Sequence, residues 1–449
     1  MRPFVVHPSS CLKGEISLLG DKSITHRALI LGAVSSGKTI IKNFPANDDC
    51  LTTMRLLQEL GAPIIQDSQL GSSHSLVVEI FGRGLQGLYK PRNPLFSYES
   101  GTTFRLLLGL LSGQSFPVSL TAGPSLSKRP MRRVTVPLRL MGAQIKARVR
   151  KKGKIEEEYP PVTIKGGNLH PISYNSPIAS AQLKSAILLA GLYADGVTSV
   201  MERIRTRDHT ERMLKLFKAN IKVVENNVFI KGGKKLISPG EIFVPGDISS
   251  AAFFIVIACL LPGSMINIRN VSLNPLRTGI LRTLKRMGAD IKIIESQNSK
   301  CRNWEPVGDL TIKSSGLRGV SVRKEEIPSL IDELPILMVA ASLAKGESIF
   351  EGVEELRVKE TDRIRAMTSN LYKMGADILV IKKGKTEKLV FRGKEFLNGA
   401  AVNSFADHRT AMSMVAAGLV ARGSTRIDDI ECINKSFPDF IDILRAISC

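Results

Sequence analysis

Cationic side chains recur beside helix-capping residues in this chain, a pairing suited to gathering anions. Apolar helical runs open at Asp21-Lys22-Ser23-I-T-H-Arg27, Glu99-Ser100-Gly101-T-T-F-Arg105, Ser180-Ala181-Gln182-L-Lys184, Gly246-Asp247-I-S-S, Ile331-Asp332-E-L-P and Asp407-H-Arg409-T. Asp, Ser and Thr at such positions accept the first N–H groups of a helix, and capping alone accounts for them. Capping does not require the Lys, Arg and Gln that stand among them. Open N–H groups and the positive end of the dipole make such starts ready anion sites. The start at Asp247 has no cation beside it and reads as purely structural. A second series of helices opens at Lys128-Arg129-P-M, Thr206-Arg207-D-H-T-E and Val358-Lys359-Glu360-T-D-Arg363, with Lys435 ahead of the last. If equivalent ends of equivalent units face one cleft, that cleft is strongly electropositive.

A repeat positions these starts. Glycine follows an apolar helical run and precedes a β-type stretch at Gly37, Gly113, Gly196, Gly263, Gly346 and Gly423, at near-regular spacing. A second echo, L-x-x-x-G-A, closes further helices at Gly61-Ala62, Gly142-Ala143, Gly288-Ala289 and Gly375-Ala376, with a worn copy at Lys218-Ala219. Such self-similarity marks one supersecondary unit used repeatedly, and glycine suits the left-handed position just past a helix end. Each unit reads as helix, strand, second helix and further strands, which makes the chain an α/β protein of six repeats. The sixth is split: a strand at T-R-I-D-D-I and a helix near residues 439–447 follow Gly423. The amino-terminal F-V-V-H and E-I-S-L-L are read as its missing strands. Two domains of three repeats follow, one of residues 21–244 and one of residues 1–20 with 245–449.

Composition narrows the function. With 449 residues, 43% hydrophobic and 23% charged, the chain is globular, and its length calls for two cores. Its 63 basic against 41 acidic residues leave +22, so acidic partners are expected. Aromatic residues are only 5% of the chain, too few for nucleic-acid stacking platforms. The longest apolar run, residues 251–262, is too short to span a bilayer, and the amino terminus has no signal-peptide pattern. No membrane partner and a cytoplasmic location are expected. Cys11, Cys50, Cys259, Cys301, Cys432 and Cys449 show no paired spacing and read as incidental thiols of a reduced compartment. His7, His26, His74, His170, His209 and His408 lack zinc spacing, so no metal is expected. The basic runs at Lys151 (K-K-G-K) and Lys234 read as solvated turns. Gly32-A-V-S-S-Gly37-Lys38-Thr39 matches the phosphate-loop pattern letter for letter. That loop needs a strand before it and a helix after it, whereas here the order is reversed, and it is rejected.

Taken in order from Gly20 to Asp439, the strings resemble the enolpyruvyl transferase family. They are G-D-Lys22-Ser23-I-T-H-Arg27, S-Gly101-T-T-F-Arg105, R-Pro130-M, Ser180-A-Gln182-L-K-S-A, T-Arg207-D-H-T-E, Asp332-E, V-Lys359-Glu360-T-D-Arg363, Asp407-H-Arg409 and K-S-F-P-D. The resemblance implies a two-domain inside-out α/β barrel of βαβαββ units, acting as a monomer and without a cofactor. It implies that phosphoenolpyruvate gives its enolpyruvyl group to the 5-hydroxyl of shikimate 3-phosphate, on the route to chorismate and the aromatic amino acids. By the same resemblance Lys22, Ser23, Arg27, Ser180, Ala181, Gln182, Arg207, Asp332 and Lys359 bind shikimate 3-phosphate. Phosphoenolpyruvate lies against Lys22, Gly101, Arg129, Gln182, Arg363, Arg409 and Lys435. Asp332 is the base at the hydroxyl, and Glu360 and Lys22 serve proton delivery. Members that act instead on UDP-N-acetylglucosamine usually carry Lys-Asn at Lys22-Ser23 and a cysteine ahead of the R-P motif; this chain has neither. Two departures stand out. Glu99-Ser100 replaces the usual Asn-Ala, putting a carboxylate near the phosphoenolpyruvate residues, and Leu19 replaces a proline.

Overall fold

A computed structural model describes residues 3–67, 75–152, 155–296, 301, 304–384 and 386–449. His74, and Gly153 and Lys154 of the basic K-K-G-K run, lie outside the described residues. The apolar runs and the helices that follow them form α1 (Lys22–Ala33), α2 (Asp48–Glu59), α3 (Gly101–Leu111), α4 (Arg132–Leu140), α5 (Ala181–Gly191) and α6 (His209–Leu216). They continue as α7 (Ile248–Leu260), α8 (Gly279–Arg286), α9 (Leu334–Leu343), α10 (Arg363–Lys373), α11 (His408–Leu419) and α12 (Phe440–Ile447). The odd-numbered helices are the apolar runs, and α7 and α11 are buried along almost their whole length. A helix apolar on every face must be enclosed, so in each repeat the helix lies inside and the sheet outside.

Six small sheets do the enclosing among the described residues. Five of them have four strands in one order: an edge strand parallel to its neighbour, then two antiparallel strands. In the second repeat these are Leu95–Phe96, Pro117–Thr121, Ile155–Lys165 and Gln144–Lys152. Burial alternates along Pro117–Thr121, apolar inward and polar outward, as a sheet with one wet face requires.

The chain divides into two compact units, Gly20–Val244 and Met1–Leu19 with Pro245–Cys449. We call them the continuous and the split unit. In the split unit Phe4–Val6 pairs antiparallel with Thr425–Ile427 of the last repeat. Lys13–Ser17 does not join it, contrary to the sequence reading; it runs parallel to Met265–Ser272 and completes the sheet of the fourth repeat. The cause is the chain path. In four of the six repeats the edge strand comes just before the first helix, but the strand before α7, Glu241–Phe243, pairs in the continuous unit with Ser36–Pro45. The fourth repeat must take its edge strand from residues before Gly20.

Other details also depart from expectation. Cys11 and Cys449 form a disulfide with Cα atoms 5.3 Å apart, so these two are not incidental thiols; a pairing 438 residues apart leaves no spacing signal. Gly113 is not a left-handed stop. A Cβ there would lie 2.0 Å from the Tyr193 ring, so that glycine serves close packing. Lys218, in the worn copy, does take the left-handed turn with φ 62°. The phosphate-loop match falls where α1 ends and the strand Ser36–Pro45 begins, and Lys38 pairs with Glu79 at 2.8 Å. No helix is long and apolar enough to cross a membrane, and no cluster of three metal-binding side chains occurs, among the described residues.

Candidate active site

In the continuous unit the cations are fixed by protein groups at the helix starts. Asp21 caps α1 by accepting from the Ile24 N–H at 2.8 Å, which sets Lys22 and Ser23 in the first turn and Arg27 one turn on. Lys22 donates to Asp49, in the first turn of α2, at 3.0 Å. Arg27 is buried, and Nε, Nη1 and Nη2 donate to Thr210 Oγ1 at 2.6 Å, the Ser23 carbonyl at 2.7 Å and Ser185 Oγ at 2.8 Å. Arg207 donates to Ser23 Oγ at 3.1 Å. Behind it, buried Lys184 reaches Glu202 and Glu211, each at 2.7 Å, and donates to the Thr206 carbonyl at 3.3 Å. Desolvation pulls the Lys184 amine down, yet the two carboxylates prevail and hold it above the ordinary lysine value.

A second cluster joins α3 and α5. Ser100 and Ser180 cap them, accepting from Thr103 and Leu183 N–H. Ala181 is the first residue of α5, so its N–H is among the donors a helix cannot satisfy internally. Gln182 accepts from Arg105 at 2.8 Å and donates to Thr102 Oγ1 at 2.9 Å. A Cβ at Gly101 would come 2.8 Å from Arg129 Nη1 and 2.9 Å from Arg105 Nη1. Glycine there lets two guanidinium groups lie against one helix start. Glu99 turns away from that start: it accepts from the N–H groups of Ser125 at 3.3 Å and Leu126 at 2.7 Å. It therefore caps the 3-10 turn Leu126–Lys128 that leads into Arg129.

The split unit gathers its charges around Asp332. Arg363, almost wholly buried, opens α10 under the Asp362 cap. It donates to Asp407 at 3.0 Å and Glu360 at 2.6 Å, and its Nη1 lies 3.8 Å from Asp332 Oδ1. Arg409 donates to the Asp332 carbonyl at 2.9 Å, and Lys435 to the Ala406 carbonyl at 3.3 Å. Desolvation lowers the half-buried Lys359 amine below the usual lysine value; Arg363 pushes the same way, while Glu355, Asp332 and Glu360 oppose it.

Two parts of this arrangement escaped the sequence reading. Asp332 and Glu333 do not cap α9; Arg277 lies 3.5 Å from one and 3.7 Å from the other. Nor is the Asp247 start without a cation, since Arg277 donates to Ser249 Oγ there at 2.6 Å. The repeat itself held the signal. Arg277 precedes α8 as Arg129, Arg207 and Lys359 precede the second helices of other repeats, and Asp49 stands near the start of α2.

Comparison with known proteins shows the family to which the whole chain is similar. The family model described as EPSP synthase (3-phosphoshikimate 1-carboxyvinyltransferase) matches residues 6–444. A 3-phosphoshikimate 1-carboxyvinyltransferase of Petrotoga mobilis is 48% identical over 443 residues, covering 98% of each chain. One of Geobacillus kaustophilus is 46% identical over 440 residues, again covering 98% of each. The structure of EPSP synthase from Acinetobacter baumannii superposes with a TM-score of 0.83 at 39% identity, covering 100% of this chain and 98% of that one.

Proposed function

This chain belongs to the EPSP synthase (3-phosphoshikimate 1-carboxyvinyltransferase) family, and we propose that its helix starts divide the two anionic substrates and the proton transfers between them. It moves the enolpyruvyl group of phosphoenolpyruvate to the 5-hydroxyl of shikimate 3-phosphate, a step of aromatic amino acid biosynthesis. Lys22, Ser23, Arg27, Ser180, Ala181, Gln182 and Arg207 hold shikimate 3-phosphate, with Asp332 and Lys359. Lys22, the backbone at Gly101, Arg129, Gln182, Arg363, Arg409 and Lys435 hold phosphoenolpyruvate. Guanidinium groups suit carboxylate and phosphate because they meet both bidentately. Asp49, Arg105 and Glu99 join the set as groups that fix Lys22, Gln182 and the loop before Arg129.

Two steps account for the chemistry. Asp332 takes the 5-hydroxyl proton as that oxygen bonds to C2 of phosphoenolpyruvate, while Lys22 gives a proton to C3. The resulting tetrahedral intermediate then loses a C3 proton to Glu360 as the C2–O bond to phosphate breaks. The departing phosphate takes the hydroxyl proton from Asp332, while Glu360 releases its proton to solvent and Lys22 regains one, so every group returns to its starting state. Lys22 has protons to give, whereas Glu360, ion-paired to Arg363 at 2.6 Å, has an oxygen to receive one. We read the enzyme as a cytoplasmic monomer without a nucleic-acid partner.

The observation that carries this reading is Asp332, its carboxylate beside two guanidinium groups and its carbonyl bound by a third. A base so held keeps one orientation. Phosphate release is expected with shikimate 3-phosphate and phosphoenolpyruvate, and none with UDP-N-acetylglucosamine. In single-turnover quench experiments Asp332→Asn should fail to form the tetrahedral intermediate. Normal intermediate formation would remove Asp332 from the role of base.

A further inference from the structure

We propose that Arg277 is a positioning residue for Asp332, holding the carboxylate of the base ionised and in one orientation from behind. The inference deepens the function proposed above and rests on Asp332 acting as the base. Arg277 side-chain exposure is 2%, against 16% for Asp332. The aspartate is the member of the pair that a substrate can reach, and the arginine acts only through it.

The path from Arg277 to the helix starts is short. Its Nη2 donates to Ser249 Oγ at 2.6 Å, and that hydroxyl donates to the buried Glu333 carboxylate. The same Nη2 lies 3.6 Å from Asp247 Oδ1 and 3.7 Å from Glu333 Oε1, while Nη1 lies 3.5 Å from Asp332 Oδ2. Thus one guanidinium stands against three carboxylates. The loop that carries it is itself tied down. Asn274 accepts from the Leu276 N–H at 2.9 Å and donates to buried Glu305 at 3.1 Å. At 3.5 Å the contact with Asp332 is long for a hydrogen bond, so its weight is electrostatic. A cation this close, in surroundings of low dielectric, favours the charged carboxylate strongly.

Asp332 has other charged neighbours, and they fix what the test can read. Arg363 faces Oδ1 at 3.8 Å but is itself shared with Asp407 and Glu360. Lys359 feels Asp332 electrostatically, and Arg409 donates to the Asp332 carbonyl. Removing Arg277 would take a guanidinium away from Oδ2 and leave its repulsion with Asp247 and Glu333 less compensated. The acid limb of the rate profile, where the base takes a proton, should then move to higher pH.

The test measures kcat and kcat/KM against pH for the full enzyme with shikimate 3-phosphate and phosphoenolpyruvate. Arg277→Met should lose about 100-fold in kcat, the scale of a misplaced catalytic group, and shift the acid limb upward by about 1 unit. Arg277→Lys keeps the charge and loses the fork. It should recover most of the limb position and part of the turnover, with KM for both substrates changed less than kcat. A loss of turnover in Arg277→Met with the acid limb in place, or wild-type kinetics, would overturn the proposal. Should Arg277→Met fail to fold, Arg277→Lys and Ser249→Ala decide the matter. Both should lower kcat about 10-fold with the limb in place, and unchanged turnover in both refutes the role. Asp332→Asn separates the two readings. If it is inactive while the Arg277 variants are normal, only this inference fails; if it stays active, the base assignment fails and this inference with it.

Discussion

Glu99 meets two backbone N–H groups that begin a 3-10 turn, and those contacts decide what its negative charge does. The residue before it, Tyr98, and the loop at Gly123 close around the carboxylate: a Cβ on Gly123 would lie 2.3 Å from Glu99 Oε1. A carboxylate that accepts from turn N–H groups is a cap, and its removal costs about 1 kcal/mol. The turn it caps delivers Arg129, which packs on Gly101 together with Arg105. From sequence, this carboxylate stands near the phosphoenolpyruvate residues as a departure from the family pattern; in the fold it is an anchor for one of the groups proposed to bind that substrate. Glu99→Ala should therefore raise KM for phosphoenolpyruvate several-fold and lower the melting temperature, with KM for shikimate 3-phosphate nearly unchanged. Glu99→Gln, which keeps one acceptor, should fall between. Tighter phosphoenolpyruvate binding in Glu99→Ala would show that the charge repels the substrate and that anchoring is secondary.

Three helices of the continuous unit share one chain of hydrogen bonds. His26 Nδ1 meets Thr53 Oγ1 at 2.7 Å, Thr53 meets Thr103 at 2.6 Å, and Thr103 meets the Ser100 hydroxyl at 2.6 Å, so α1, α2 and the cap of α3 are linked. Burial, then the charges of Lys22 and Arg27, holds the His26 imidazole well below its ordinary pKa of 6.5, against a smaller pull from Asp21. The folded protein thus keeps His26 neutral while the unfolded chain takes up a proton below that value. Stability from this residue is fully present above pH 6.5 and is lost as pH falls toward the folded pKa, by up to about 1.4 kcal/mol per pH unit. Urea unfolding between pH 7 and pH 5 should show a slope that is smaller, by about one proton, in His26→Asn than in the wild type. Equal slopes would mean that His26 is protonated in the fold. The helix caps at Asp21, Ser100, Ser180, Asp247 and Asp407 were legible because a cap and the N–H donors it satisfies lie within three residues. The α9 start was not, because its acidic residues are spent on Arg277, 55 residues away from Asp332. Only the spatial packing of the repeats brings those side chains together.

At the scale of the whole chain, the repeat, the α/β class and the direction of the charge were readable, since period and composition survive without coordinates. The sheet that Lys13–Ser17 enters and the Cys11–Cys449 link were not, because both depend on where a distant segment returns. The charge of +22 now divides into two populations with different responses to salt. Arg27, Arg105, Lys184, Arg277, Arg363 and Arg409 are buried at helix starts and bonded to protein oxygens. Buried pairs are screened little, whereas exposed charges are screened beyond about 8 Å at physiological ionic strength and about 3 Å at 1 M. The exposed surplus raises the local concentration of anions; the buried set includes Arg27, Arg363 and Arg409, proposed for the substrates, and Arg277, proposed for the base. Added potassium chloride, from 50 mM to 500 mM, should therefore lower kcat/KM for both substrates several-fold, through KM, and leave kcat within a factor of about two. The Glu99 variants should keep the same salt slope, because Glu99 does not belong to the exposed surplus. A kcat that falls in parallel with kcat/KM would place screenable charge in the chemical step itself, and would contradict a leading part for the buried, paired Arg27, Arg277, Arg363 and Arg409.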